Sequence, residues 1–541
     1  PNGLHFIVLE RHAAPVVSFH SYVNAGSVDD PGGQTGLAHM FEHMAFKGTG
    51  AIGTRNYVEE KKALEAVERI YDQLEAERNK GFRADQARIR ELEKNLAAAI
   101  EKANSFVEAN AFPRIIEENG GVGLNAGTGM DSTTYYYNFP ANRTELWFLL
   151  ESERFLRPVF REFYKERDVV REERRMRVES SPQGKLLEAM ISTAFAAHPY
   201  RNMPGGWASD IESYRAPDAE RFYRTYYTPS NITIAIAGDV NPAGMKRLAQ
   251  KYFSRLPAGP APPRVRTVEP PQQGEKRVAV ESPSQPLLLA GYKRPDQNHK
   301  DDPVFDVLAG VLSSGRTGLL YKELVRDSKI ALAAQAGATF PGGKYPNLFY
   351  IFLVPNMGHT VEENEKAAYE IVERLKRERV DDATLNRVKT KVRASLIRQL
   401  DSNSGLASQL AFYEVNYGDW RKLFTGIEEI DKVTAGDVQR VAREYLVERG
   451  RTVAFTVQPA APAEKCGLLW GQLPAEAPPA PAVKRAAPAK PSFPSHKDLR
   501  FPPLPKLALP DVETFTLANG MKVYLLENRE LPLVSGTALV R

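Results

Sequence analysis

Cysteine is almost absent from this chain. Of its 541 residues only Cys466 carries a thiol, so an intramolecular disulfide framework is excluded. That says little about compartment, because proteins without disulfides occur on both sides of a membrane. Long apolar runs are missing as well. No segment approaches the roughly 20 consecutive apolar residues of a spanning helix, and a membrane span is not expected. An excess of one charge is also lacking, since 72 basic residues against 67 acidic leave a net charge of +5. No basic stretch interleaved with aromatic residues is present, so a nucleic-acid partner is not expected either.

What is present is a composition of 42% hydrophobic and 26% charged residues, which is that of a globular protein, in a chain several times the usual domain length. The first forty residues read as strand, turn, strand and helix: "LHFIVLE" and "VVSFHSYVNAG" are β-branched and aromatic, and the "DDPGGQTG" loop leads into an apolar helix. From 55 to 110 the pattern changes. Leu64, Val67, Tyr71 and Leu74 recur at helical spacing, as do Ile89, Leu92, Leu96 and Ile100 after the "NKGFRAD" break. This predicts an antiparallel, coiled-coil-like helical hairpin, either a solvated protrusion or a partner-binding arm.

Beyond the hairpin, "GGVGLNAGTGMDSTTYYYNFP" reads as a strand pair, and a long helical tract is predicted from about 143 to 178. "NITIAIAGDV" is a further strand and "PAGMKRLAQKYFSRL" a helix. The Pro-rich stretch near 257 to 275 marks a boundary, a second α+β stretch runs from 276 to 458, and the Pro- and Ala-rich residues 459 to 510 have a linker's composition. The final segment repeats the first without a gap: Asn2, Gly3, Glu10, Pro15 and Ser18 match Asn519, Gly520, Glu527, Pro532 and Ser535. Residues 511 to 541 are therefore read as the opening strands of a second, truncated repeat unit.

The chemistry is concentrated in "GLAHMFEHMAFKGT". On a helix, His39 and His43 share a face and Glu42 lies beside them, so two imidazoles and a carboxylate can address one point. Zinc hydrolases use this set: neutral imidazoles bind the ion and the glutamate accepts a proton from the water activated there. His-x-x-Glu-His is the inverzincin order. A catalytic zinc needs a third protein ligand, and "KERDVVREERRMRVE" is the acidic helix that offers one. Seven helical steps put Glu166 and Glu173 within about 20° of each other. Spacing alone leaves the pairs Glu166/Glu173 and Glu162/Glu166 both open.

Four motifs in order, "HMFEHMAFKGT", "LNAGTGMDSTTYYY", "ERDVVREE" and "YYTPSNITIAIAGDV", make the chain resemble the insulinase, pitrilysin and mitochondrial-processing-peptidase family of zinc endopeptidases. The resemblance covers the chain outside the hairpin and the linker. It implies Zn2+ held by His39, His43 and Glu173, with Glu42 as general base and Glu166 supporting the site from behind a ligand. His43 and Glu173 lie 130 residues apart, well beyond the family's usual separation, and the inserted hairpin accounts for the excess. The strand holding Asn125 and Ala126 is implied to be the edge onto which substrate adds as a strand, which favours unfolded polypeptide. A substrate-holding Arg/Tyr pair, seven residues apart in the family, has no counterpart here: Arg326 is followed at that distance by Ala333.

The sequence thus predicts an α+β fold of two related domains, each a mainly antiparallel sheet packed against helices. Residues 1–245 carry the metal motif and the hairpin at 55–110, residues 246–275 link, and residues 276–458 form a metal-free counterpart. The function expected is that of a zinc endopeptidase acting on peptides or unfolded polypeptides. The rivals are a non-catalytic chamber or scaffold member, or a partner-binding protein using the hairpin. A second half of the same chain or a partner subunit is expected to close the chamber, and fused bacterial members point to a periplasmic or secreted setting.

Overall fold

The computed structural model describes residues 2–459, 495–504, 512–529 and 532–538. Most of the expected linker at 459–510, including Cys466, lies outside the described residues. The β-rich runs build two five-stranded sheets. The first contains β1 (His5–Glu10), β2 (Val16–Val23), β3 (Val122–Thr128), β4 (Thr133–Pro140) and β5 (Ile232–Gly238), in the order β1-β5-β2-β4-β3. β5 enters between the first two strands, parallel to β1 and antiparallel to β2. The second contains β6 (Lys276–Glu281), β7 (Leu288–Arg294), β8 (Ala331–Phe340), β9 (Asn347–Pro355) and β10 (Arg451–Val457), in the order β6-β10-β7-β9-β8. The two orders are the same, and β10 likewise lies parallel to β6 and antiparallel to β7. The fold is α+β, with both sheets packed against many helices.

Seven helices of the first half matter below: α1 (Leu37–Met44), α2 (Tyr57–Arg78), α3 (Gln86–Asn104), α4 (Ala111–Glu118), α5 (Thr144–Leu156), α6 (Phe163–Arg174) and α7 (Pro182–Ala194). The tract predicted as one helix from about 143 to 178 is broken between α5 and α6, with Arg157 out of the helical region. Pro158 explains the break, because a residue before proline is pushed off the α conformation. α2 and α3 pack antiparallel, joined by a short turn around Gly81. Asn56 and Asp85 cap their first turns by accepting from Glu59 N and from Ala87 and Arg88 N.

Each sheet has two covered faces, which is why β5, "ITIAIAG", is buried at every position. Its Ile234 and Ile236 join the first half's own core with Phe19, Phe41 and Trp147. Its alternate residues, Ala235 and Ala237, meet Leu406, Ala407 and Leu410 of helix Asn403–Tyr417, which belongs to the second half. The exchange is mutual. Leu186, Met190 and Ile191 of α7 cover Leu289 and Ala454 of the second sheet.

β11 (Val512–Thr516) and β12 (Lys522–Leu526) form a separate antiparallel pair. The repeated Asn-Gly motif has the same local form at both ends of the chain: Gly3 and Gly520 have φ of 89° and 86°, and Asn2 and Asn519 each accept from the backbone two residues on. Among the described residues no helix is long and apolar enough to cross a membrane.

Candidate metal centre

Two helices and one strand build the site. α1 enters from Gly36, whose φ of 88° turns the chain sharply, and Asp30 caps it by accepting from Gly36 N and Ala38 N at 2.8 Å each. Leu37, Ala38, Met40, Phe41 and Met44 are buried in the core, which leaves His39, Glu42 and His43 on the remaining face. α6 runs alongside and presents Glu166 and Glu173, one helical face repeated after two turns. The chain then widens into a looser turn at Arg175–Glu179.

His39 Nε2 and His43 Nε2 both face Oε2 of Glu173, at 3.6 and 3.4 Å. One ligand atom from each of the three residues lies within 4.8 Å of the others, the sole such group among the described residues. Tetrahedral bonds of about 2.0–2.1 Å put neighbouring ligand atoms about 3.3 Å apart, so this donor set of two imidazoles and one carboxylate fits a zinc ion. Arg177 Nη2 binds the other oxygen of Glu173 at 2.8 Å, so Oε2 is the oxygen left for the imidazoles.

Glu166 does not join the three. Its Oε2 lies 3.3 Å from His43 Nδ1, the nitrogen opposite the converging one, where it fixes ring orientation. Lys47 Nζ donates to Glu166 and, at 3.2 Å, to Glu162. His39 has no such support: its buried Nδ1 finds no hydrogen-bond partner among the described residues. Glu42 is held by Thr128 of β3, whose hydroxyl donates to Oε2 at 2.6 Å. Asn125 and Ala126 lie on the same strand, which pairs only with β4 and so forms a sheet edge; Asn125 is exposed and accepts from Ala126 N.

Burial and charge set the protonation. Burial, with His43 beside it, holds His39 down at about 4, so it is neutral at pH 7. Burial also lowers His43, but Glu166, Glu173 and Glu42 outweigh it and raise its pKa overall. Burial raises Glu42 despite the Thr128 hydrogen bond, which makes it a stronger base than a solvated carboxylate. Burial raises Glu166 too, yet His43 and Lys47 bring it down to about 2. Three carboxylates around two imidazoles leave a site that suits a divalent cation.

Sequence reasoning passed over three of these contacts. Lys47 stands four residues after His43 and Arg177 four after Glu173, a spacing that could have flagged them. Thr128 had no local signal. Arg326, already declined for a role, pairs with its neighbour Asp327 in an exposed position.

Known proteins resemble this chain in sequence and in fold. Residues 6–68 match the model for Insulinase (Peptidase family M16), and residues 214–392 match that for the Peptidase M16 inactive domain. The zinc protease PqqE of Helicobacter pylori is 28% identical across 84% of this chain and 90% of its own. A probable mitochondrial-processing peptidase subunit beta of Arabidopsis thaliana is 23% identical, covering 83% of this chain and 76% of its own. The crystal structure of a protease from Helicobacter pylori superposes with a TM-score of 0.71 at 26% identity, over 84% of this chain and 97% of that one. A peptidase M16 inactive domain from Pseudomonas fluorescens shares the fold at a TM-score of 0.67 and 16% identity, over 85% and 97%. With both of its halves matched and its relatives named zinc proteases, the chain belongs to the insulinase family of peptidases, M16.

Proposed function

We propose that this chain is a zinc-dependent endopeptidase that hydrolyses peptides or unfolded polypeptides. The observation that carries the reading is the convergence of His39, His43 and Glu173 with Glu42 fixed beside them. Those three residues would hold a zinc ion, which would supply Lewis acidity toward the scissile carbonyl and the attacking water. Glu42, basic through burial and oriented by Thr128, takes the proton of the attacking water and delivers it to the leaving amine. Glu166 keeps the His43 ring in line.

The free edge of β3 accepts an extended segment as an added strand, with Asn125 and Ala126 nearest the scissile bond. Backbone pairing of that kind requires a substrate that is not already hydrogen-bonded to itself. The match to an inactive domain does not weigh against activity, because residues 214–392 contain none of the four residues His39, Glu42, His43 and Glu173.

The test combines metal analysis with cleavage of an unstructured peptide, for the native chain and for Glu42→Gln. Zinc retained and cleavage lost is the expected result. Cleavage that survives the substitution would remove Glu42 as the base.

A further inference from the structure

The helical hairpin reaches the metal centre through one buried ion pair. Glu60, on the first turn of α2, and Arg161, between α5 and α6, are 0% and 1% exposed. Arg161 Nε and Nη2 donate to the two oxygens of Glu60 at 2.7 and 3.2 Å. Its remaining hydrogens go to three carbonyls of the loop that leaves α1: Lys47 O at 2.5 Å, Thr49 O at 2.7 Å and Ile52 O at 2.9 Å. All five guanidinium N–H donors are thereby used. The loop is shaped for the group: Gly48 and Gly53 have φ of 86° and 88°, and a Cβ on either would stand within 3.0 Å of Arg161 Nη1.

The position of this clasp gives it meaning. The carbonyl of Lys47 is held by Arg161 while its side chain binds Glu166, which in turn orients His43. Arg161 is also the residue before Glu162, the second partner of Lys47 and the entry to α6. Farther along, the hairpin rests on α6 itself: Tyr71 stacks on Tyr164 with centroids 5.1 Å apart, Arg167 donates to Tyr71 at 3.1 Å, and Tyr164 donates to Glu68 at 2.9 Å. The two helices that carry the metal ligands are thus tied to each other through an element inserted between them.

We propose that the hairpin is a brace for the metal centre, and that Glu60 and Arg161 are its positioning residues, setting the distance between the histidine pair and Glu173. The proposal rests on the zinc reading above. Positioning partners one step removed from a ligand are worth about 10–100-fold in metal affinity.

The test measures zinc affinity by chelator competition, and the absorption spectrum of the cobalt-substituted protein, which reports ligand geometry. Glu60→Gln is expected to weaken zinc about 10–100-fold and to alter the cobalt bands. Leu92→Ala, a core truncation elsewhere in the hairpin, is expected to lower the melting temperature and leave both readouts unchanged. Glu60→Gln leaves Arg161 buried without a full counter-charge and can fail to fold. Glu60→Met combined with Arg161→Met removes both charges, a change buried pairs commonly tolerate. It also removes the three carbonyl anchors, so the double variant is expected to fold and to bind zinc as weakly as the single one. Native-like zinc affinity and cobalt spectrum in either folded variant would overturn the brace. His39→Ala separates this from failure of the zinc reading: if it binds zinc as tightly as the native chain, the ligand assignment itself falls.

Discussion

The two halves share one strand order, and the helix that follows the second strand is the place to compare them. In the first half that helix is α1, with His39, Glu42 and His43 on its uncovered face. In the second it is helix Asp302–Ser313, whose Val304, Phe305, Val307, Leu308, Val311 and Leu312 are buried in much the same way. Asp302 and Asp306 stand four apart there, as the histidines do, but Asp302 is bound to Arg294 and no imidazole is present. The first half also carries α2 and α3, where the second has only the short segment between 314 and 330 before β8. The core pattern is therefore indifferent to the chemistry. The difference lies in the convergent His39, His43 and Glu173, in Glu42 beside them, and in the inserted element that packs on α6.

The comparison breaks most sharply at Glu42. Glu42→Gln should lower kcat by about 10²–10⁴-fold with zinc content unchanged, measured by peptide cleavage and metal analysis. Glu173→Gln should reduce zinc affinity by more than about 100-fold, exceeding what a supporting residue is worth, and leave the first half as metal-poor as the second. Glu166→Gln should cost about 10–100-fold and also move the pH dependence of zinc uptake. The sign follows from His43, whose raised pKa in the metal-free protein means that protons compete with zinc below that value. Affinity is full above the raised pKa and falls in acid; without Glu166 the fall should begin at lower pH.

A smaller effect sharpens the relation between the halves. His20 and His198, at the seam, are held at about 4 by burial; His20 meets Ser404 of the second half and His198 packs against Tyr345. Their folded pKa values lie below the unfolded value, so their contribution is complete above about pH 6.5 and is lost as pH falls through 4, at most about 3 kcal/mol each. Acid melting of His20→Gln should show a shallower loss than that of the native chain. Arg326→Ala should change neither zinc binding nor cleavage, since an exposed pair with Asp327 is worth less than about 1 kcal/mol.

Much of this could be read from the chain because the informative spacings are short. His39, Glu42 and His43 are local neighbours on one helix, and the helical periodicity of Val67, Tyr71 and Leu74 corresponds to residues that are buried between helices. Glu173 is 130 residues from His43, and only the resemblance to a family could bring it to the site. The entry of β5 between β1 and β2 was not legible, because alternation tells which face of a strand is buried and not which strand lies beside it. Arg161 carries no motif and no telling spacing. Nothing in sequence marks a guanidinium whose partners are backbone carbonyls 109 to 114 residues away.

The exchange of α7 and helix Asn403–Tyr417 ties the two halves into one unit. Each half is finished by a helix encoded in the other, so neither can be shed or produced alone without stripping the outer face of a sheet. Each half is kept in place by the core it completes for the other, so the half that carries the histidine pair and the half that lacks it hold or fail together.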